Sequence, residues 1–95
     1  AQQAPWADPL AKLLRAGVAA RAGDTRAAIH HLADAAAGCD AAGLCLFAAA
    51  ARRRRGELEP GSDGARRRAS ADAWLSAQDV ADIPRLLAML TPGFP

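Results

Sequence analysis

The sequence predicts an all-α fold of two antiparallel helical hairpins followed by a short C-terminal capping helix. Of its 95 residues, 52% are hydrophobic but only 4% are aromatic. Much of the apolar fraction is alanine, the residue with the highest helix propensity. No segment alternates Val, Ile, Thr or aromatic residues as a β-strand would. We therefore expect one domain over 1–95, with hairpins at 9–38 and 41–78 and the capping helix at 83–90.

The first hairpin has clear start and stop signals. Asp8 is a suitable N-cap, and Pro9 suits the first helical position. Gly23 is suited to the left-handed conformation that ends a helix, and Asp24 would cap the second helix directly afterwards. The first helix carries one apolar stripe, at Leu10, Leu13, Leu14, Gly17 and Val18.

The second helix is expected to end at Gly38, and a short link through Asp40 leads to the third. The two inward faces are predicted to hold Ala28, Ile29, Leu32, Ala35 and Ala36 on the second helix and Leu44, Phe47, Ala48 and Ala51 on the third. Arg52–Arg55 fall in the last turns of the third helix, where cations offset the helix dipole. This helix ends at Gly56 or continues to Leu58.

The segment 59–64 is a loop rich in Pro, Gly, Ser and Asp, and Ser62 or Asp63 would cap the fourth helix. The inward residues of that helix are predicted to be Ala69, Ala73, Trp74 and Ala77. Asp82 would cap the fifth helix, whose apolar face is Ile83, Leu86, Leu87 and Leu90, and the segment 91–93 would end it.

The core is thin because alanine fills little volume. Its large members are predicted to be Leu14, Ile29, Leu32, Leu44, Phe47, Trp74 and Leu87. On this basis Trp74→Ala would cost about 3–5 kcal/mol.

Composition excludes several classes of protein. The net charge is only +2, which does not by itself indicate nucleic acid. No run of 18 apolar residues is free of charge, and residues 1–5 lack the pattern of a signal peptide. Cys39 and Cys45 are too close along one helical stretch for a disulfide, so we expect free thiols in the cytoplasm.

No catalytic or metal-binding constellation is evident, so we expect no enzyme activity and no cofactor. His30 and Asp34 share one helix face, but zinc needs three or four ligands. We expect solvated histidines there and no metal. None of the serines at 62, 70 and 76 lies in a Gly-x-Ser-x-Gly setting.

Two arginine runs, 52–55 and 66–68, are the most unusual feature. If they lay on adjacent turns they would form one basic patch. The residues predicted to bind a partner are Arg52, Arg53, Arg55, Arg66 and Arg67, with Arg15 and Arg21. Three interpretations stay open: a solvated face neutralised by nearby Glu and Asp, a site for an acidic protein or peptide, and a phosphate-backbone site. The lack of a nearby aromatic residue disfavours nucleic acid. Residues 67–70 also fit an Arg-Arg-x-Ser phosphoacceptor pattern ending at Ser70.

Residues 9–40 resemble a tetratricopeptide repeat, a 34-residue helical hairpin. Gly23-Asp24 matches the turn between its two helices, and Leu32 its large apolar position. The small positions of the repeat are matched by Ala16, Ala28 and Ala35. The closing proline of that repeat is replaced here by Asp40. The resemblance implies stacked helical hairpins that bind protein ligands.

The second half, with "CLFAAAARRRRGEL", "ADAW" and "LLAMLTPGFP", resembles the C-terminal end of tetratricopeptide-containing Ser/Thr protein kinases and related regulators of high-GC bacteria. This resemblance implies that the chain is the last repeats and cap of a larger bacterial signalling regulator. We therefore predict a non-catalytic protein-interaction or scaffold module. The alternatives are a small nucleic-acid-binding helical domain and a homodimerisation bundle. In a bundle, the fifth helix would lie across both hairpins.

Overall fold

A computed structural model describes residues 7–94 of the chain. Within this range the chain forms five helices and no strand, which confirms the all-α prediction. The helices are α1 (Ala7–Arg21), α2 (Thr25–Ala41), α3 (Cys45–Leu58), α4 (Gly61–Ala77) and α5 (Ile83–Leu90). Each of α1 to α4 packs on its neighbours in sequence, and α5 packs on α3 and α4. The expectation about a signal peptide concerns residues 1–5, which lie outside the described range.

Two of the predicted helix caps are confirmed. The Asp24 carboxylate accepts a hydrogen bond from the backbone N–H of Ala27 at 3.1 Å, directly after Gly23, whose φ is +81°. The Asp82 carboxylate accepts one from the backbone N–H of Arg85, also at 3.1 Å. These caps depend only on residues within one turn, and for that reason sequence alone predicts them.

The predicted end of α2 at Gly38 is wrong, because the helix continues to Ala41 and the turn glycine is Gly43, with φ +76°. Gly38 serves packing instead. A Cβ atom at this position would lie 2.9 Å from the Cβ of Pro9, so the missing side chain lets α1 approach α2. The boundary predicted at 38–41 is therefore displaced to 42–44.

Two other predicted helix starts also differ. Asp8 lies inside α1, where its carboxylate pairs with Lys12 at 3.4 Å, so it is not an N-cap. Helix α4 begins at Gly61 after Pro60, which makes no side-chain cap hydrogen bond. Ser62 and Asp63 consequently fall in the first turn of α4 and do not cap it. Helix α3 continues to Leu58, the longer of its two expected ends.

The main apolar core joins α1, α2 and α3. Its buried members are Leu13, Ala16, Leu32, Ala35, Ala36, Cys39, Ala48 and Ala51. Five of these eight side chains are alanine, so dispersion contacts require helix backbones that approach closely. Leu32 is the largest side chain in this cluster that is fully buried.

The core prediction is right for some positions and wrong for others. Leu32 and Leu87 are buried, Leu44 and Phe47 pack partly buried against the cluster, and Ile29 is half-buried. Leu14 is 59% exposed and Trp74 is 38% exposed, so neither is a core residue.

Both errors have the same physical reason, which is the rotation of a helix about its own axis. Helix α1 turns Leu13, Ala16 and Gly17 inward, and one step of about 100° carries Leu14 to the solvent side. Helix α4 buries Gly64, Ala71 and Leu75, and the inward set predicted from sequence is exposed at Ala69, Ala73, Trp74 and Ala77.

The segment after α5 crosses to α1. A Cβ atom at Gly17 would lie 3.2 Å from the carbonyl oxygen of Pro92 and 3.7 Å from the ring of Phe94. Phe94 is partly buried against the core cluster. Helix α5 itself thus packs on α3 and α4, while residues 92–94, which follow it, contact α1.

Candidate functional site

The first arginine run does not form an open basic patch. Each of its four guanidinium groups has an acidic partner: Arg52 with Asp40, Arg53 with Asp72 at 2.7 Å, Arg54 with Glu57 at 2.9 Å and Arg55 with Glu59 at 3.4 Å. All four arginines are half-buried. Because a nearby carboxylate offsets each of these positive charges, the four arginines attract an external anion only weakly.

Arg54 holds the C-terminal segment in place. Its Nε donates a hydrogen bond to the Thr91 hydroxyl at 2.9 Å, and the guanidinium carbon lies 5.4 Å from the centre of the Phe94 ring. The Thr91 hydroxyl in turn donates to the Leu87 carbonyl oxygen. A cation over an aromatic face is stabilising at such a distance. Arg54 therefore has a structural role.

The second arginine run divides between packing and solvent. Arg67 Nε lies 2.5 Å from a carboxylate oxygen of Glu59, and Arg68 donates to the carbonyl oxygen of Gly56 at 2.7 Å. These two side chains join α4 to the end of α3. Arg66 is exposed and has no ion-pair partner within residues 7–94. Most guanidinium groups of the two runs are therefore engaged by partners within the chain, and Arg66 is the exception in the second run.

An open cleft lies over α3, flanked by the C-terminal end of α2 and by α4. We call it the α4 cleft; its volume is about 600 Å³. Ala49 of α3 and Ala71 of α4 are apolar and buried residues that line it, and Trp74 adds a partly exposed aromatic ring. The cleft exists because α2 and α4 both pack on α3 without packing extensively on each other.

The rim of the α4 cleft is charged. Arg52, Arg66 and Arg67 contribute cations, and Asp40 and Asp63 contribute carboxylates. Arg52 is paired with Asp40, and Arg67 is paired with Glu59 outside the cleft lining. Arg66 is thus the lining cation that is free to receive a ligand anion.

Trp74 corrects one argument made from sequence. The absence of an aromatic residue near the arginines was expected to disfavour nucleic acid, but Trp74 lines the same cleft as Arg66 and Arg67. Sequence analysis missed that Trp74 lies near these arginines because it predicted that Trp74 faces the core. The four-residue steps from Arg66 to Ser70 and from Ser70 to Trp74 are the sequence signal that could have found it, since residues at this spacing follow one helix face.

The two cysteines are free thiols in different environments. Burial raises the pKa of the Cys39 thiol, and the neighbouring Asp40 carboxylate raises it further, while Arg52 lowers it. Cys45 is exposed at the start of α3 and lines the α4 cleft. Cys39 is therefore a packing residue of the core, whereas the Cys45 thiol is accessible from the cleft.

Ser70 also lines the α4 cleft and is exposed. It lies in the middle of α4, however, and the two arginines of the phosphoacceptor pattern are occupied. Arg67 is bound to Glu59 and Arg68 to the Gly56 carbonyl. A kinase reading that pattern would have to separate both arginines from these partners.

The other candidates from sequence lie elsewhere. Arg15 and Arg21 are exposed on α1 and do not line the cleft. His30 and Asp34 form an exposed pair at 3.3 Å. Among the described residues, no three His, Cys, Asp or Glu side chains are arranged to hold a metal ion. No helix in the same range is long and apolar enough to span a membrane.

A second, smaller cleft of about 360 Å³ lies between α3, α4 and α5. Its charged lining residues, Arg53, Arg54, Glu57 and Asp72, pair with one another. These pairs leave no free charge for a ligand, so the α4 cleft is the better candidate site.

Comparison with known proteins identifies no relative. No protein-family model matches the chain, and no curated protein or solved structure shows significant similarity to it.

Proposed function

We propose that this chain is a non-catalytic protein-interaction module of the helical-repeat type. In this proposal α1–α2 and α3–α4 are two tetratricopeptide-like hairpins, and α5 is the cap of the second. The resemblance at the first turn supports it, since Asp24 caps α2 after a left-handed Gly23. The small positions Ala16, Ala28 and Ala35 are fully buried, as close packing of paired helices requires.

We further propose that the module belongs to a larger bacterial signalling regulator and acts in the cytoplasm. The support is the resemblance of α3 and of the last ten residues to the end of repeat-containing kinases. The catalytic activity of such a regulator would belong to another of its domains.

The observation that carries the interaction proposal is that the partly exposed Trp74 and the free Arg66 line the same α4 cleft. Trp and Arg are enriched among the residues that dominate binding energy at protein interfaces. An alanine-rich chain with few large side chains would gain stability by burying Trp74. Its partial exposure in a cleft is better explained by a ligand that covers it.

Affinity capture with matched variants tests this proposal. The wild-type chain, Trp74→Ala and Val18→Ala would be immobilised and exposed to lysate, with and without nuclease, at low and moderate salt. Val18 is an apolar residue that is 70% exposed on α1, more than Trp74, and it lies outside the cleft. Circular dichroism would verify that each variant is helical.

We expect the wild-type chain and Val18→Ala to capture a partner protein that stays bound after nuclease treatment and at moderate salt. Trp74→Ala should not capture this protein. Alkylation of Cys45 with a bulky maleimide should abolish the same capture without altering Trp74. Retention that depends on nucleic acid would favour the nucleic-acid alternative. Capture of the chain alone would favour homodimerisation, and capture unaffected by both changes to the cleft would contradict the proposal.

A further inference from the structure

We infer that the α4 cleft binds a short peptide segment with one carboxylate and one large apolar side chain, the carboxylate on Arg66 and the apolar side chain on Trp74. This inference rests on the proposed interaction function and specifies its ligand. It follows from the spacing of two side chains, the charge balance of the rim and the size of the cleft.

The spacing comes from α4. Arg66, Ser70 and Trp74 are four residues apart, so they follow one face of the helix. At a rise of about 1.5 Å per residue, the Cα atoms of Arg66 and Trp74 are about 12 Å apart. An extended peptide advances about 3.3 Å per residue, so the same distance corresponds to about four residues. A peptide along α4 would therefore present its two anchoring side chains about four positions apart.

The apolar anchor has a defined surface. Trp74 is 38% exposed and shares the cleft with the buried Ala49 and Ala71. A Leu or Phe side chain laid there would cover the indole ring and an alanine floor. Tryptophan suits this role because its large ring offers apolar contact area and its N–H can donate a hydrogen bond.

The charges on the rim of the α4 cleft favour a ligand with one carboxylate over a polyanion. Arg66 has no ion-pair partner within residues 7–94, whereas Arg52 and Arg67 are bound to Asp40 and Glu59. A second anion would have to break one of these pairs. It would also face Asp63 and Asp40, which line the same cleft. A phosphate backbone carries charge at every residue, so the rim disfavours nucleic acid.

The size of the cleft fits a short segment. Its volume of about 600 Å³ falls within the range of about 300–1,000 Å³ that is typical of small-ligand sites. A few residues fill such a space, whereas a folded partner would need a larger, flatter surface. Arg66 offers the planar fork that binds a carboxylate through two parallel hydrogen bonds.

The test uses the tryptophan itself as reporter. Trp6→Phe leaves Trp74 as the only tryptophan, since the chain has two. Capped synthetic hexapeptides holding one Glu and one Leu, separated by zero to four Ala or Ser residues, would be titrated while Trp74 fluorescence is followed. The same peptides with Gln in place of Glu isolate the charge, and an oligothymidylate serves as the nucleic-acid probe.

We expect the tightest binding when Leu lies four positions from Glu. The matching peptide with Gln in place of Glu should bind with a Kd about tenfold higher. Arg66→Ala should remove the preference for Glu over Gln, and Arg66→Lys should restore part of it. The matched control is Arg26→Ala, an exposed arginine on α2 outside the cleft, which should change nothing.

Three results in which a ligand does bind would overturn the inference. One is equal affinity for Glu and Gln peptides, and another is an equal effect of Arg66→Ala and Arg26→Ala. The third is tighter binding of the oligothymidylate than of any peptide. If no peptide binds while lysate capture still depends on Trp74 and Cys45, the ligand class is wrong but the interaction function stands. If capture is also independent of the cleft, the proposed function itself fails.

Discussion

The α1–α3 core and the α3–α4 junction are held together by different means. In the core, Ala16, Leu32 and Ala48 are fully buried and pack without polar contacts. At the junction, Arg68 donates to the Gly56 carbonyl and Arg67 pairs with Glu59. The comparison shows that one alanine-rich chain stabilises one region by apolar burial and the other by arginine side chains.

The junction also depends on a close approach of two backbones. A Cβ atom at Gly56 would lie 2.9 Å from the backbone nitrogen of Arg68, and one at Gly64 would collide with the carbonyl oxygen of Glu59. The two glycines let α4 lie against the end of α3. In this packing Arg66 and Trp74 lie on the exposed side of α4, where both line the α4 cleft.

The largest effect is expected in the apolar core. Leu32→Ala removes the largest fully buried side chain of the α1–α3 cluster and should lower the free energy of unfolding by about 3 kcal/mol. Denaturant titration followed by circular dichroism measures it. Val18→Ala, at an exposed position, should change stability by less than about 0.5 kcal/mol. A loss below about 1 kcal/mol for Leu32→Ala would contradict the assignment of this core.

A smaller loss of stability is expected at the junction, where the substitution Gly64→Ala should act against the gain that helix propensity predicts. Helix propensity alone would make Gly64→Ala stabilising by about 1 kcal/mol. Because the new Cβ collides with the Glu59 carbonyl oxygen, we expect a net loss of about 1–2 kcal/mol. The control Ser62→Ala, at an exposed position in the same first turn, should be near neutral. A stabilised Gly64→Ala variant would refute the close approach of α3 and α4.

Trp74→Ala should cost about 1–2 kcal/mol, less than the about 3–5 kcal/mol expected for a fully buried tryptophan. The reason is that Trp74 lies 38% exposed on the wall of the α4 cleft. Thermal unfolding with Leu75→Ala as the comparison measures the difference, since Leu75 is fully buried one position along the same helix. If Trp74→Ala is the more destabilising of the two, α4 buries Trp74 and not Leu75, contrary to this structure.

The smallest effect concerns the two thiols, one in the apolar core and one in the α4 cleft. Cys45 in the α4 cleft should react readily with a maleimide at pH 7–8, and its alkylation should leave the unfolding free energy unchanged within about 0.5 kcal/mol. Burial raises the pKa of the Cys39 thiol, so its reactive thiolate is scarcer at the same pH. Mass spectrometry after proteolysis separates the two sites. Comparable reaction of Cys39 in the folded chain would show that the core is not closed.

Comparison of prediction and structure separates local from non-local effects. Gly23, Asp24 and Asp82 were predicted correctly because a turn and a cap involve residues within four positions of each other. The packing role of Gly38 was not predicted from sequence. That role depends on Pro9, which is distant in sequence and adjacent only after α1 and α2 pack.

The candidate site shows the same division. Sequence identified the arginine runs and their acidic neighbours, but it grouped Arg52–Arg55 with Arg66 and Arg67 as one surface. Which of these charges is free depends on pairs such as Arg53 with Asp72, which join different helices. The resemblance to tetratricopeptide repeats and to bacterial regulators stays a prediction.

The amino-acid sequence by itself determined that the chain is helical, where the turn between α1 and α2 lies and where α5 begins, because propensity, capping and turn conformation act over a few residues. Only the tertiary structure decided which face of each helix is buried, which glycines serve close packing and which arginine is left free. Those outcomes depend on the rotation of one helix against another. A step of about 100° per residue is enough to move a side chain such as Trp74 from the core to a cleft.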